Sequence, residues 1–197
     1  MPKRPDSKRR IVDAALVLAA RQGWASTSLS AIAAEAGLPL LEVHGHFRSK
    51  AAIVEAFLSR IDTEVLAGES QEGEKPRDRL FDTIMRRFDA LGPHKDAVRS
   101  MARDAVADPL GTLAVAQPFL QSMGWMLEAS GVTATGWRGT ARIHLLGGIY
   151  LSVLRVWLDD DSADAMKTMA ALDRRLRAFE TWLGLASDAH VAVQQNT

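Results

Sequence analysis

The chain has 197 residues and 47% of them are apolar, so it can bury the core of one medium domain or of a small module joined to a larger body. Its 24 basic and 24 acidic residues cancel, which excludes a strong overall charge as the basis of nucleic-acid binding. The lack of cysteine excludes disulfides, thiolate metal sites and cysteine nucleophiles, and it fits a reducing cytoplasm.

The charge is unevenly distributed along the chain. Residues 1–60 hold nine Lys or Arg and five Asp or Glu, a net charge of +4, so the remainder carries −4. Five of the basic residues fall within the first ten positions, namely Lys3, Arg4, Lys8, Arg9 and Arg10. This start is either a basic arm that assists DNA binding or a solvated terminus.

The first three predicted helices are short and closely spaced. Helix one runs from about Ser7 to Gln22 and is ended by a glycine. Thr27 is a good N-cap for helix two, and Gly37 ends that helix. Pro39 can open helix three, because a residue in the first turn needs no amide donor. Helix four begins near Lys50.

The remaining periodic segments also have helical spacing and predict an all-α protein of about nine helices. Helix five ends near Gly92, helix six spans 95–106, helix seven ends near Glu128, helix eight spans 136–158, and helix nine carries an apolar stripe from Met166 to Leu183. The longest late apolar run, Leu145–Leu154, is about half of the roughly 20 residues that a membrane span requires. We therefore expect a cytoplasmic protein without a membrane span.

Residues 27–50 have the features of a helix-turn-helix. Ala33 and Ala36 are small where two helices cross, Gly37 supplies the turn, and Leu38 packs beneath it. The third helix would then present its exposed face to a DNA groove. The candidate DNA contacts are Thr27, Ser28, Leu40, Leu41, Glu42, His44, His46 and Lys50.

The anchors in this region follow a known order. They are Arg10-Ile11, Ala14-Ala15, Gly23-Trp24, Thr27-Ser28-Leu29, Ile32-Ala33, Ala36-Gly37-Leu38, Phe47 and Ser49-Lys50. This pattern resembles the N-terminal signature of the TetR family of transcriptional regulators. The resemblance implies a homodimer whose helices eight and nine form the interface, with a DNA-binding domain at 1–50 and a ligand-binding and dimerisation domain at 51–197. At three positions this chain departs from the usual pattern of the family. Leu41 stands where the family usually has a small residue, Glu42 where it has Ser or Thr, and His44 where it has Tyr.

A second resemblance lies near the C-terminus. It rests on Gly147-Gly148-Ile149-Tyr150-Leu151-Ser152, Trp157-Leu158-Asp159-Asp160-Asp161-Ser162 and Leu172-Asp173-Arg174-Arg175-Leu176. These segments are similar to the Coq9 family, whose members share the TetR fold and act as lipid-binding accessories in ubiquinone biosynthesis. The resemblance implies an apolar, isoprenoid-like ligand and keeps open an interpretation in which the DNA-binding module is vestigial.

The body also contains a set of methionine and aromatic residues that either fill the core or line a cavity between helices five and eight. The candidate ligand-binding residues are Met85, Phe88, Met101, Phe119, Met123, Trp125, His144 and Tyr150. His144 lies on an otherwise apolar stretch, so a satisfied core histidine is the alternative to a ligand-binding group.

The sequence favours a ligand-responsive repressor that binds double-stranded DNA as a dimer, at a pseudo-palindromic operator, and responds to a small apolar effector. The alternative is a Coq9-like lipid-binding accessory protein. We find no nucleophile elbow, no phosphate-binding glycine loop and no catalytic carboxylate pair in the sequence, so we expect neither an enzyme nor a bound metal or cofactor.

Overall fold

The structure is a computed structural model that describes residues 6–68, 75–162, 164–178 and 180–183. All regular elements in these ranges are helical, which confirms the predicted all-α class. The elements are α1 (Ser7–Gln22), α2 (Leu29–Ala36), α3 (Leu40–His46), α4 (Lys50–Leu66), α5 (Pro76–Leu91), a 3₁₀ turn (Gly92–His94), α6 (Lys95–Ala107), α7 (Pro109–Ala129), α8 (Gly136–Leu158), α9 (Met166–Ala178) and α10 (Glu180–Leu183). Lys3 and Arg4 of the basic arm lie outside the described residues.

The helix boundaries follow local sequence signals. The carboxylate of Asp6 caps α1 by accepting a hydrogen bond from the amide of Lys8 at 3.3 Å. Gly23 ends α1 with a φ of +93°, a conformation that other residues rarely adopt. The bounds of α1 and α8 agree with the predicted ones, and α10 follows α9 inside the segment predicted as the end of helix nine.

The chain forms two compact units. Unit 1 consists of Met1–Glu64 and Asp89–Ser122, and unit 2 consists of Val65–Phe88 and Met123–Thr197. In unit 1, α1 packs against α2, α3 and α6. The fully buried side chains of its core include Ile11, Ile32, Val43, Ile53 and Phe57. The predicted functional boundary at residue 50 stays a prediction, because compactness does not show which residues bind a ligand.

The core of unit 2 is built on aromatic stacking. Phe88 lies parallel to Tyr150 with ring centroids 5.1 Å apart, and Trp157 stacks on the same ring at 5.5 Å. Helix α8 packs along α9, where Leu172 and Leu176 are fully buried. Two of the predicted ligand-binding residues, Phe88 and Tyr150, therefore pack against each other inside this unit.

Helix α8 has the length and composition of a membrane-spanning helix. It is 23 residues long, its most apolar window has a mean hydropathy of 1.2, and 39% of that window is buried inside the protein. The core helix of a water-exposed protein has the same properties. Packing inside unit 2 buries one face of the helix, which includes Leu146, Val153 and Trp157, so the fold itself accounts for part of this apolar content.

The turn between α8 and α9 is organised by one buried carboxylate. Asp160 is 4% exposed, and its oxygens accept hydrogen bonds from the hydroxyl and amide of Ser162 at 2.5 and 3.2 Å. They also accept from the amide and hydroxyl of Thr168 at 2.9 and 2.8 Å. The bonds from Ser162, followed by those from Thr168, hold the pKa of Asp160 well below its usual range, although burial acts in the opposite direction.

We predict that Asp160→Asn lowers the free energy of unfolding by about 2 kcal/mol at pH 7, because two donors would then face an amide group. The pKa of Asp160 is lower in the folded chain than the value of about 3.9 expected after unfolding. The stabilisation is therefore complete above pH 4 and is lost as the pH falls towards the folded pKa. Urea unfolding at pH 7 and pH 2.5 measures the difference between the two proteins.

The matched control is Asp159→Asn, because Asp159 is the exposed neighbour. We expect this variant to unfold like the parent protein at both pH values. An Asp160→Asn effect of equal size at pH 7 and pH 2.5 would contradict the carboxylate's proposed part in this turn.

Candidate nucleic-acid interface

The turn between α2 and α3 is sharp and is fixed by two residues. Gly37 has a φ of +61°, and its amide closes the end of α2 on the carbonyl of Ala34 at 3.0 Å. The guanidinium of Arg10 donates to the carbonyls of Ala36 at 2.5 Å and of Gly37 at 3.4 Å. A β-carbon at position 37 would lie 3.3 Å from that guanidinium, so both the backbone and the packing favour glycine.

The predicted N-cap of α2 is wrong by one residue. The cap is Ser28, whose hydroxyl oxygen accepts a hydrogen bond from the amide of Ala31 at 3.1 Å. Thr27 is only 2% exposed, and its hydroxyl donates to the carbonyl of Gly23 at 2.8 Å. This hydroxyl satisfies the end of α1, so it does not lie at the surface as a contact to DNA requires, whereas Ser28 is exposed.

Helix α3 has one buried face and one exposed face. Val43 is fully buried and Phe47, directly after the helix, is 6% exposed, so these two residues anchor α3 in the core of unit 1. Leu40 is 51% exposed and Leu41 is 81% exposed. The side chains of His44 and His46 are exposed as well. Together with Ser28, five of the eight predicted DNA contacts therefore lie at the surface.

The predicted contact Glu42 is oriented differently. Its side chain is half-buried, and its carboxylate accepts a hydrogen bond from the hydroxyl of Ser7 at 2.6 Å. Ser7 is the first residue of α1, so this bond joins the beginnings of α1 and α3. Glu42, which was predicted on the exposed face, therefore packs against α1, because the hydroxyl of Ser7 donates a hydrogen bond to its carboxylate.

Gly45 has no structural reason to be glycine within the described part of the chain. It lies inside α3, where glycine is less stable than alanine by about 1 kcal/mol. A β-carbon at this position would meet nothing within 4 Å. The residue is exposed on the same side of the helix as Leu41, which precedes it by one turn. The glycine thus leaves open space on the surface of α3.

The half-buried side chain of Lys50 turns back onto the protein. Its ammonium donates to the carbonyl of Trp24 at 2.5 Å and lies 4.4 Å from the centre of the Trp24 ring. Burial lowers the pKa of Lys50, while the charges of Asp104 and Asp108 act in the opposite direction. In this conformation the ammonium is engaged by a carbonyl and an aromatic face, and its contact with a DNA phosphate stays a prediction.

The loop between α1 and α2 is tied to α6. The amide of Trp24 donates to the hydroxyl of Ser100 at 2.7 Å, and the amide of Ala25 donates to the carboxylate of Asp104 at 2.6 Å. A groove of about 360 Å³ lies beside these bonds. It is lined by Trp24, Lys50, Val54, Met101, Asp104 and Val115, among others. Met101, a predicted ligand-binding residue, therefore lies at the wall of a groove that could hold a ligand.

The other predicted ligand-binding residues have varied surroundings. Met123, like Phe88 and Tyr150, is buried in unit 2, whereas Met85 in unit 2 and Phe119 in unit 1 are half-buried. Trp125 is 58% exposed and His144 is exposed, with its ring nitrogen Nδ1 2.8 Å from the carbonyl of Thr140. Of the two alternatives for His144, the exposed side chain excludes a core position, and the ligand-binding role stays a prediction.

The sequence did not predict the contacts of four residues of this site, although Arg10 was singled out as part of the basic arm. Ser7 and Arg10 fix the position of α3 and the turn before it, and Ser100 and Asp104 fix the loop before α2. Their partners lie 26 to 79 residues away along the chain, as the bonds of Arg10 and Asp104 illustrate. Local patterns of helix formation carry no signal for pairs at such separations.

The N-terminal and C-terminal parts of the chain match two different family models. Residues 11–57 match the model of bacterial regulatory proteins of the tetR family. Residues 120–182 match the COQ9 model. No curated protein is similar enough in sequence to be matched to the chain. Both resemblances predicted from the sequence are therefore confirmed over these residues.

Solved structures of TetR regulators have the same fold. A TetR transcriptional regulator from Nitrosomonas europaea is 24% identical, with a TM-score of 0.70 over 88% of this chain and 97% of that one. A TetR transcriptional regulator from Rhodococcus sp. RHA1 is 19% identical, with a TM-score of 0.63 over 86% and 96%. Thermus thermophilus FadR, a TetR family transcriptional repressor in complex with lauroyl-CoA, is 19% identical, with a TM-score of 0.58 over 88% and 93%. At these identities the likeness shows the fold.

We predict that Thr27→Val lowers the free energy of unfolding by about 1 kcal/mol, because the carbonyl of Gly23 loses its donor. The same variant should bind DNA as tightly as the parent chain, since this hydroxyl is not at the surface. Urea unfolding and fluorescence anisotropy on one preparation measure both quantities. Ser28→Ala is the matched control, and it should lose about 1 kcal/mol through its helix cap. Weakened DNA binding by Thr27→Val at unchanged stability would refute this assignment.

Proposed function

We propose that this chain is a DNA-binding transcriptional regulator of the TetR type, and a repressor that responds to a ligand. The observation that carries the proposal is α3, whose Val43 is anchored in the core while Leu40 and Leu41 face solvent after a turn fixed by Gly37. A helix held in this way suits the major groove of B-DNA. The match of residues 11–57 to the tetR family model supports it.

The proposed regulator acts as a homodimer, and the exposed face of α8 supports this step. Trp137 is 77% exposed and Leu151 is 48% exposed, and Ala141, His144 and Gly148 lie between them at helical spacing on the same side. A β-carbon at Gly148 would meet nothing within 4 Å. Small residues on a helix allow a second helix to approach closely, so we propose a second copy of α8, together with α9, as the partner.

A homodimer presents two copies of α3 related by a twofold axis. If the two helices lie about one DNA turn apart, they contact two half-sites of a pseudo-palindromic operator in successive major grooves. The exposed serine Ser28 and the basic residues Lys8, Arg9 and Arg48 are then available to the phosphates on either side. These contacts fix the position of the module and leave the choice of base to α3.

An apolar effector fits the same proposal. The Thermus relative carries lauroyl-CoA, and the COQ9 match of residues 120–182 also favours a lipid-like molecule. A ligand seated in the groove of unit 1 would touch Trp24 and Lys50 as well as Met101 of α6. It would compete with the hydrogen bonds that the loop before α2 donates to Ser100 and Asp104. Ligand binding would then favour a state in which the helix-turn-helix is displaced and the affinity for DNA is lower.

A second candidate function rests on the COQ9 match. In this alternative the chain is a lipid-binding or isoprenoid-binding accessory protein, and its helix-turn-helix is vestigial. The two candidates share the apolar body and differ at α3. DNA binding is therefore the property that separates them.

The decisive experiment is fluorescence anisotropy with duplexes selected by the protein from a random library and with the DNA that flanks its own gene. We expect binding that resists a scrambled competitor and weakens as the salt concentration rises. Binding no tighter than to the scrambled duplex would overturn the regulator proposal. Mass spectrometry of lipids that copurify with the chain would then test the accessory function.

We predict that Gly45→Ala raises the free energy of unfolding by about 0.5 to 1 kcal/mol, because alanine is the better helix former. The added methyl group should nevertheless weaken binding to the selected duplex by about tenfold, since it occupies the space into which a base edge would move. Thermal unfolding and anisotropy measure the two effects separately. A more stable variant with unchanged DNA affinity would show that α3 does not approach DNA on this side.

We predict that Leu151→Asp converts the dimer into a monomer of 21.5 kDa, measured by sedimentation velocity. An unpaired carboxylate in an apolar interface costs about 3 kcal/mol or more, which weakens dimerisation by at least about 100-fold. Leu113→Asp is the matched control, because Leu113 is 70% exposed on α7. Equal dimerisation of both variants and the parent chain would exclude this face of α8 from the interface.

A further inference from the structure

We infer that α3 recognises its DNA site chiefly through the C5-methyl groups of thymine, with Leu40 and Leu41 as the residues that set the specificity. The inference rests on the proposed DNA-binding function and names the base that the module prefers. Its basis is that α3 exposes two leucines and contains no arginine, lysine, asparagine or glutamine.

The side chains that usually distinguish bases by paired hydrogen bonds are missing from α3. Arginine and lysine recognise guanine in this way, and asparagine and glutamine recognise adenine. The seven residues of α3 are Leu, Leu, Glu, Val, His, Gly and His. The carboxylate of Glu42 accepts the hydroxyl of Ser7 at 2.6 Å, so its capacity for cytosine is already partly used. The two histidines can each supply single hydrogen bonds only.

The two leucines are placed where a recognition helix contacts base edges. They are the first two residues of α3, and the N-terminal residues of such helices reach furthest into the groove. Leu41 is 81% exposed and Leu40 is 51% exposed, so contact with DNA would remove much apolar area from water. In the major groove, the apolar group that distinguishes one base from the others is the C5-methyl of thymine.

Gly45 supports a close approach on the same side of the helix. It follows Leu41 by one turn, and the space beyond its α-carbon is open. Contacts between methyl groups are short-ranged, and a gap of 1 Å already forfeits much of their attraction. Because Gly45 has no side chain that would keep the helix away from the bases, Leu41 can reach a thymine methyl.

The same leucines could contact a lipid surface, but the rest of α3 argues for DNA. A helix that lies on a membrane has a wide apolar face. In α3 the other apolar residue, Val43, is fully buried in the core of unit 1. The exposed residues that follow the leucines along the chain include His44, His46 and Arg48, and the sequence of residues 1–60 has a net charge of +4. This is a small apolar patch in a polar and basic setting, as a DNA groove requires.

The test replaces thymine by deoxyuridine, one position at a time, in the duplex selected from a random library. This exchange removes one methyl group and leaves every hydrogen-bonding group of the base unchanged. We expect at least one position in each half-site where the exchange weakens binding by about fourfold, the value for the loss of one buried methyl-sized group. Anisotropy titrations at one salt concentration give the affinities.

The variant Leu41→Ala should lose this sensitivity to uracil at one position of the half-site, and Leu40→Ala at another. Both residues are exposed, so neither variant removes a core side chain. The matched control is Leu110→Ala, because Leu110 is also 81% exposed but lies on α7. The control should keep the uracil profile of the parent chain.

Each other outcome has one meaning. A selected site whose uracil substitutions all change the affinity by less than twofold overturns this inference and leaves the proposed function intact. Selection without any enriched sequence overturns the proposed function and, with it, the inference. Leu41-dependent binding to anionic vesicles, with no enriched DNA, assigns the leucines to a lipid surface and likewise overturns it.

Discussion

The position of α3 depends on the bridge that Arg10 makes to the carbonyls of Ala36 and Gly37. An isolated helix of seven residues is not stable in water, so α3 needs external support. The left-handed glycine sets the angle of the turn, the guanidinium satisfies carbonyls that the end of α2 leaves without partners, and Val43 fixes the rotation of the helix. The exposure of Leu40 and Leu41 follows from these three constraints.

The elements of the fold were predictable because their signals are local. Gly23 and Gly37 end helices in conformations that favour glycine, and the spacing of apolar residues gave the bounds of α1 and α8. The features that the sequence did not reveal concern groups whose partners lie elsewhere in the fold. The hydroxyl of Thr27 turns inward to the carbonyl of Gly23, which leaves the cap to Ser28. The ammonium of Lys50 is taken up by Trp24, a partner 26 residues away.

The surface of α8 shows a different limit of the sequence. Most residues of α8 are apolar, so the sequence left two roles open for His144, a ligand contact and a core position, and the side chain lies at the surface. Leu146, Val153 and Trp157 form the buried side of the helix. The exposed side combines small residues with Trp137, Leu151 and Arg155, and its apolar area is suited to contact with another helix.

The two candidate functions make opposite demands on α3. A lipid-binding accessory protein gains nothing from a surface leucine pair beside a helical glycine: the leucines expose apolar area, and the glycine lowers helix stability without relieving any contact in the described structure. A DNA-binding module gains from both, since the glycine admits the base edge and the leucines contact it. The apolar body suits either function. The small exposed surface of α3, which Val43 anchors to the core, is therefore the feature that favours a regulator.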